Sequence, residues 1–183
     1  MSVPREPDRA QLMVSILCAQ WETLWPRLMH ELEDGLGQVD YQSPLLAFSH
    51  TDYYDAELGA PITRRLLGFG PLVRQEHLAD IKLFTNSLEK RYCRPDGKRL
   101  VNLDPGIVTQ ERLVLATGKN FTHRVYLGQG IFADLTLIYQ AGGWTRLPWT
   151  FPDYGGGELF EHLSALRRLH REKLRTGAMS QEN

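Results

Sequence analysis

The sequence predicts an α+β domain built on a ferredoxin-like βαββαβ core, extended by additional antiparallel strands and closed by a C-terminal helix. Three observations predict it. Apolar runs and helical apolar stripes follow one another as strand, helix, strand, strand, helix, strand over residues 12–103. Glycines at 128, 130, 142 and 143 then separate further strand-like runs. An amphipathic stretch from 158 to 175 ends the pattern.

Each element has its own reason. Leu12–Cys18 is apolar at almost every position, which suits a strand covered on both faces. Trp21, Leu24, Trp25, Leu28 and Leu32 share one helical face. Thr23 is placed to cap that helix, Pro26 to sit in its first turn, and Gly35 and Gly37 to end it. Residues 44–49 form the second strand of the pattern and 64–69 the third. Residues 75–91 give a second helix with Leu78, Ile81 and Leu88 on its apolar side. Pro95-Asp96-Gly97 is a turn, and 99–103 follows as the fourth strand, stopped by Asp104-Pro105-Gly106. Residues 124–127 and 132–139 make a hairpin, and 144–147 adds a strand. The last helix carries Leu159, Leu163 and Leu166 on one face. Arg167, Arg168, Arg171, Lys173 and Arg175 lie near its end, where the helix dipole favours cations. Residues 1–10 read as a flexible arm, 11–176 as a single domain and 177–183 as a flexible tail.

Composition narrows the function classes. The 183 residues hold 21 Lys plus Arg against 22 Asp plus Glu, a net charge of −1, which argues against a general nucleic-acid coat. The apolar run at 12–19 is too short to span a membrane. Only Cys18 and Cys93 are present, without Cys-x-x-Cys spacing, as expected of a reduced, cytoplasmic chain in which Cys18 is a buried thiol. The phosphate-loop, zinc-protease, serine-hydrolase and dinucleotide fingerprints are absent; five residues before Gly118-Lys119 stands Leu113, where a phosphate loop needs glycine.

Four segments concentrate polar and aromatic residues. The loop at 50–63 is long for such a fold, and it carries Asp52 and Glu57 as candidate metal or acid/base groups, unless Thr51 or Asp52 simply caps a short helix. Lys82, Thr85, Asn86 and Glu89 share one helical stripe. Asn102 and Asp104 lie two apart at a strand end. Lys119, His123 and Arg124 form a cationic group in which His123 is the best candidate for proton transfer near neutral pH. Residues 149–154 supply a rigid aromatic loop suited to a lid.

Taken together, Thr51–Gly59, Lys82–Glu89, Asn102–Gly106, Leu115–Lys119 with His123–Leu127, Gly130-Ile131 and Pro148–Tyr154 give the chain its resemblance to an uncharacterised prokaryotic family, domain of unknown function 4416. The resemblance spans nearly the whole chain and implies a small single-domain protein without an established activity. The residues themselves favour a small cytoplasmic enzyme acting on an anionic, phosphorylated or nucleotide-like small molecule. His123, Asp104 and Glu57 are its expected catalytic groups. Lys82, Asn86, Glu89, Asn102, Lys119 and Arg124 would bind substrate, and Asp52, Glu57 and Asp104 would hold Mg²⁺ if a metal assists. The alternatives are a non-catalytic nucleotide- or RNA-binding module with exposed aromatics for stacking, and a structural partner protein whose polar motifs are buried networks.

Overall fold

The computed structural model describes every residue except His50, Asp52 and 180–183. Strand β1 (Ala10–Cys18) is the centre of the molecule, and all nine of its residues are buried. It pairs antiparallel with β4 (Thr63–Val73) on one side and with β5 (Val101–Val108) on the other. Beyond β4 lie β2 (Val39–Gln42) and the two-residue β3 (Leu46–Ala47). Beyond β5 come β6 (Arg112–Thr117), β8 (Ile131–Gln140), β7 (Arg124–Gly128) and β9 (Gly143–Arg146). The main path through this nine-stranded sheet is β2-β4-β1-β5-β6-β8-β7, with β3 beside β4 and β9 beside β8.

Helices cover both faces, which explains an apolar residue at nearly every position of β1. On one face, α1 (Trp21–Leu36) and α3 (Leu78–Arg91) bury Leu28, Leu32, Ile81 and Leu88 against Val14, Ile16, Phe69 and Leu103. On the other, α4 (Glu158–Met179) buries Leu159, Leu163 and Leu166 against Met13, Leu66, Val108 and Leu137. The approach of α4 is close: a Cβ on Gly68 of β4 would lie 2.5 Å from Leu166 Cδ2. Lys173 fastens the far end of α4 by donating to Asp40 at 2.6 Å, Gln11 Oε1 at 2.6 Å and the Phe69 carbonyl at 2.8 Å. No helix among the described residues is long and apolar enough to cross a membrane.

Several boundaries differ from the sequence expectation. The strand that follows α1 is β2, at 39–42; of the expected 44–49 only Leu46 and Ala47 pair. The inward and outward residues of β2 simply alternate, and Pro44 has no N–H to give a ladder. Strand β5 runs straight through Asp104-Pro105-Gly106, because β1 pairs along its whole length. Strand β6 was not expected as a separate element. Gln20, not Thr23, precedes α1 as its cap residue without a side-chain bond, and Pro26 lies inside the helix. The short α2 (Asp55–Leu58) has Tyr54 as its cap residue and also lacks a side-chain cap. Helix α4 continues to Met179, so part of the expected tail is helical.

The sheet forks beside β5. Eight residue pairs join β5 to β1, yet β5 meets β6 only through Gly106–Leu115, Ile107–Val114 and Val108–Leu113. Continued one step, that register would ask Pro105 for an N–H it does not have. Residues 101–105 therefore present an open edge inside a nine-stranded sheet.

Candidate functional site

The open edge of β5 is satisfied by side chains of α3. Glu89 Oε1 accepts the Leu103 N–H at 2.6 Å, and Lys82 Nζ donates to the Leu103 carbonyl at 2.8 Å. The helical stripe that placed residues 82 and 89 two turns apart thus brackets one residue of the strand. Both side chains are buried.

Arg99, just before β5, organises the rest. Its Nε and Nη2 donate to the two carboxylate oxygens of Glu57 at 2.6 and 2.8 Å, a bidentate pair. Its Nη1 donates to Glu89 Oε2 at 2.9 Å and to Asn102 Oδ1 at 3.0 Å. Asn102 Nδ2 in turn donates to Asp104 Oδ2 at 2.6 Å, and Lys82 Nζ to Asp104 Oδ1 at 3.1 Å. The bonds to Arg99 hold the Glu57 carboxyl below its ordinary range, and the Glu57 bonds push the Arg99 guanidinium further up. Burial pushes Glu89 the other way, above the ordinary carboxylate range. Burial also pushes the Tyr54 phenol up to about 12, and the Asp104 carboxylate adds to that.

A second cluster lies beyond the end of β6. Asp134, an acid buried in β8, accepts Arg124 Nε at 2.8 Å and stands 3.2 Å from His123 Nε2. Arg124 Nη1 donates to the Lys119 carbonyl at 2.9 Å, tying the cluster to the loop after β6. The His123 ring is stacked on Trp149, centroids 5.1 Å apart and planes 12° apart, with Phe121 edge-on at 5.5 Å. Its Nδ1 is buried and has no partner among the described residues. Trp149, from the expected lid loop, is pinned by an Nε1 bond to the Leu135 carbonyl at 2.8 Å.

Of the residues singled out from sequence, Glu57, Lys82, Glu89, Asn102 and Asp104 thus meet in one network. Lys119 faces it: its ammonium lies 5.6 Å from the Tyr53 ring centre and favours the ionised form of Glu57. His123 and Arg124 belong to the neighbouring cluster. Asn86 lines a separate cavity of about 320 Å³ behind the network, together with Glu89, Arg99 and Cys93. Asp52 lies outside the described residues. Glu57 and Asp104, expected as metal ligands, already give their oxygens to Arg99, Lys82 and Asn102. Among the described residues no group of three or more His, Cys, Asp or Glu side chains is placed to hold a metal ion.

Sequence reasoning left out Arg99 and Asp134, the hub of each cluster. Asp134 carried a signal, an acid in the middle of the apolar run Phe132–Tyr139. Arg99 carried none, because it reaches partners 42 and 10 residues away.

Aromatic side chains stand exposed around both clusters: Tyr53, Phe121, Tyr126, Trp149 and Phe151. Arg124 lies 6.0 Å from the Phe151 ring centre. Cys18 is buried, which raises its thiol pKa, and it is a free cysteine like Cys93.

No curated protein and no solved structure matches the chain. A protein-family profile, described as domain of unknown function DUF4416, matches residues 8–170.

Proposed function

The chain belongs to the DUF4416 family, which brings no activity with it, and we propose from its own residues that it is an enzyme acting on a small anionic, nucleotide-like molecule at the open edge of β5. One observation carries this reading. Asp104, with its side chain a third exposed, is held between Lys82 and Asn102 on a strand edge that no other strand covers among the described residues. A carboxylate fixed by two donors and open to solvent is equipped to take or give a proton. Lys119, exposed and in no ion pair among the described residues, supplies the counter-charge for the substrate. Tyr53, Phe121 and Phe151 supply exposed rings for a planar group. Glu57 and Glu89 hold Arg99 and the strand in position, and His123 joins the chemistry only when Trp149 leaves its ring.

The sheet order β2-β4-β1-β5, with α1 and α3 as its two crossovers on one face, supports a ferredoxin-like reading of the core. Two cysteines kept as thiols support a cytoplasmic setting.

Thermal unfolding in the presence of nucleoside mono- and triphosphates and sugar phosphates, with and without Mg²⁺, tests the proposal. A ligand at 100 times its Kd stabilises by about 2.7 kcal/mol, a rise of about 5–10 °C for a chain of this size. Lys119→Ala should abolish the rise without lowering the unliganded midpoint. Asp104→Asn should keep binding and lose turnover. No rise across the series overturns the reading. A rise only with single-stranded RNA, steeply weakened by salt, would favour the nucleic-acid-binding alternative that the exposed aromatics also suit.

A further inference from the structure

A second cavity, of about 530 Å³, opens on the other side of β4 between β3, β9 and the start of α4. Its floor is apolar, from Leu46, Phe48 and Leu159, and two guanidinium groups reach it, those of Arg64 and Arg146. Arg64 is 5% exposed and sandwiched between the rings of Phe48 at 5.1 Å and Tyr154 at 4.7 Å. Asp153 takes one edge of it, through its side chain and its carbonyl. The Arg64 Nε–H is buried and has no acceptor among the described residues. Buried donors in folded proteins almost always have an acceptor, and Arg64 lines the cavity, so this one points to a ligand. Arg146 lies against Gly155, where a Cβ would come within 2.7 Å of its guanidinium carbon, and it makes no ion pair among the described residues.

The third wall is Gly155-Gly156-Gly157, leading into the 22-residue α4. Gly157 has φ +56, and neither Gly156 nor Gly157 has a heavy atom within 4 Å of where a Cβ would be, so both backbones are open to an incoming group. The amides of Gly156, Gly157, Glu158 and Leu159 make no backbone hydrogen bond among the described residues. Two guanidinium groups and a row of free amides fit one kind of ligand group, a tetrahedral oxyanion. Glu158 stands exposed at the rim, where solvent screens its charge.

We propose that this cavity binds the phosphate group of a small molecule, with Arg146 and the amides of residues 156–159 on its oxygens and the Arg64 Nε–H as an inner donor. The site shares no residue with the open edge of β5, so it stands or falls separately. The test is a titration of the ¹⁵N-labelled protein with sodium phosphate at constant ionic strength, followed through the backbone amide resonances. The Gly156 and Gly157 resonances should shift and saturate in the millimolar range. Arg146→Gln should weaken binding at least tenfold, and Lys119→Ala should leave it unchanged. Shifts that do not saturate, an Arg146→Gln variant that binds as tightly as the native protein, or acetate moving the same resonances as strongly would each overturn the proposal. Loss of phosphate binding in Lys119→Ala would overturn the separation of the two sites.

Discussion

Arg99 shows what one residue does in this protein. It neutralises two carboxylates that lie on different elements, and one of them, Glu89, is buried. Removing one partner of a buried pair leaves an uncompensated charge, at a cost of about 3–5 kcal/mol. Arg99→Ala should therefore lower the unfolding free energy, measured by urea denaturation, by that much. Glu89→Gln in the same background should recover part of the loss, and the double-mutant cycle reads the coupling between them. Glu57 acts on the acid side of the pH profile. Its folded-state pKa is lowered, so its stabilisation is complete above the unfolded carboxylate value and is lost as pH falls through the folded one. Glu57→Gln should be less stable than the native protein at pH 7. Its stability should then fall less between pH 5 and pH 3, as measured by denaturant unfolding at each pH. At this scale the sequence was half legible. The spacing that put residues 82 and 89 on one stripe, and 102 and 104 on one strand face, led to the network. Long-range partners such as Arg99 with Glu57 leave no local pattern, and neither did the pairing of Arg64 with Asp153.

Among the elements, the best-read were those with one strong pattern. The continuous apolar run of β1 follows from burial on both faces, and the hairpin of β7 and β8 follows from its glycines. The poorly read ones were decided by their neighbours. Residues 104–106 look like a turn, yet β1 supplies a partner for each of them, and the missing Pro105 donor costs nothing on an edge where no strand continues. The packing of α4 on β4 is equally a matter of neighbours. Gly68→Ala would press a methyl group into Leu166 and against the Tyr41 Cβ at 3.0 Å, so it should destabilise by about 1–3 kcal/mol. Combined with Leu166→Ala, the two losses should be less than additive, because the second change empties the space that the first one needs. For β5, Glu89→Gln should speed hydrogen exchange of the Leu103 amide more than that of Ile107, whose strand partner is intact.

At the scale of the whole molecule, the two faces of the sheet depend on different parts of the chain. One is covered by α1 and α3 and the other by α4 together with Tyr154. A chain ending at residue 156 would strip the α4 side chains from Met13, Leu66, Val108, Leu113 and Leu137. Such a truncation should lose its cooperative thermal transition and bind a hydrophobic dye, where the full chain does neither. The sequence announced this layer through Leu159, Leu163 and Leu166, but not its anchor: Lys173 was grouped with the cations that the dipole favours at the helix end, and it reaches inward to three strands.

The fork beside β5 has a mechanical meaning. A nine-stranded plate resists bending along its ladders, and here one ladder is three rungs long where its neighbour has eight. A load applied across the plate is relieved at the root of that slit, near Gly106. The two halves can then change their mutual twist while Lys82 and Glu89 hold the β5 side of the slit to α3, and the carboxylate of Asp104 rides on that lip.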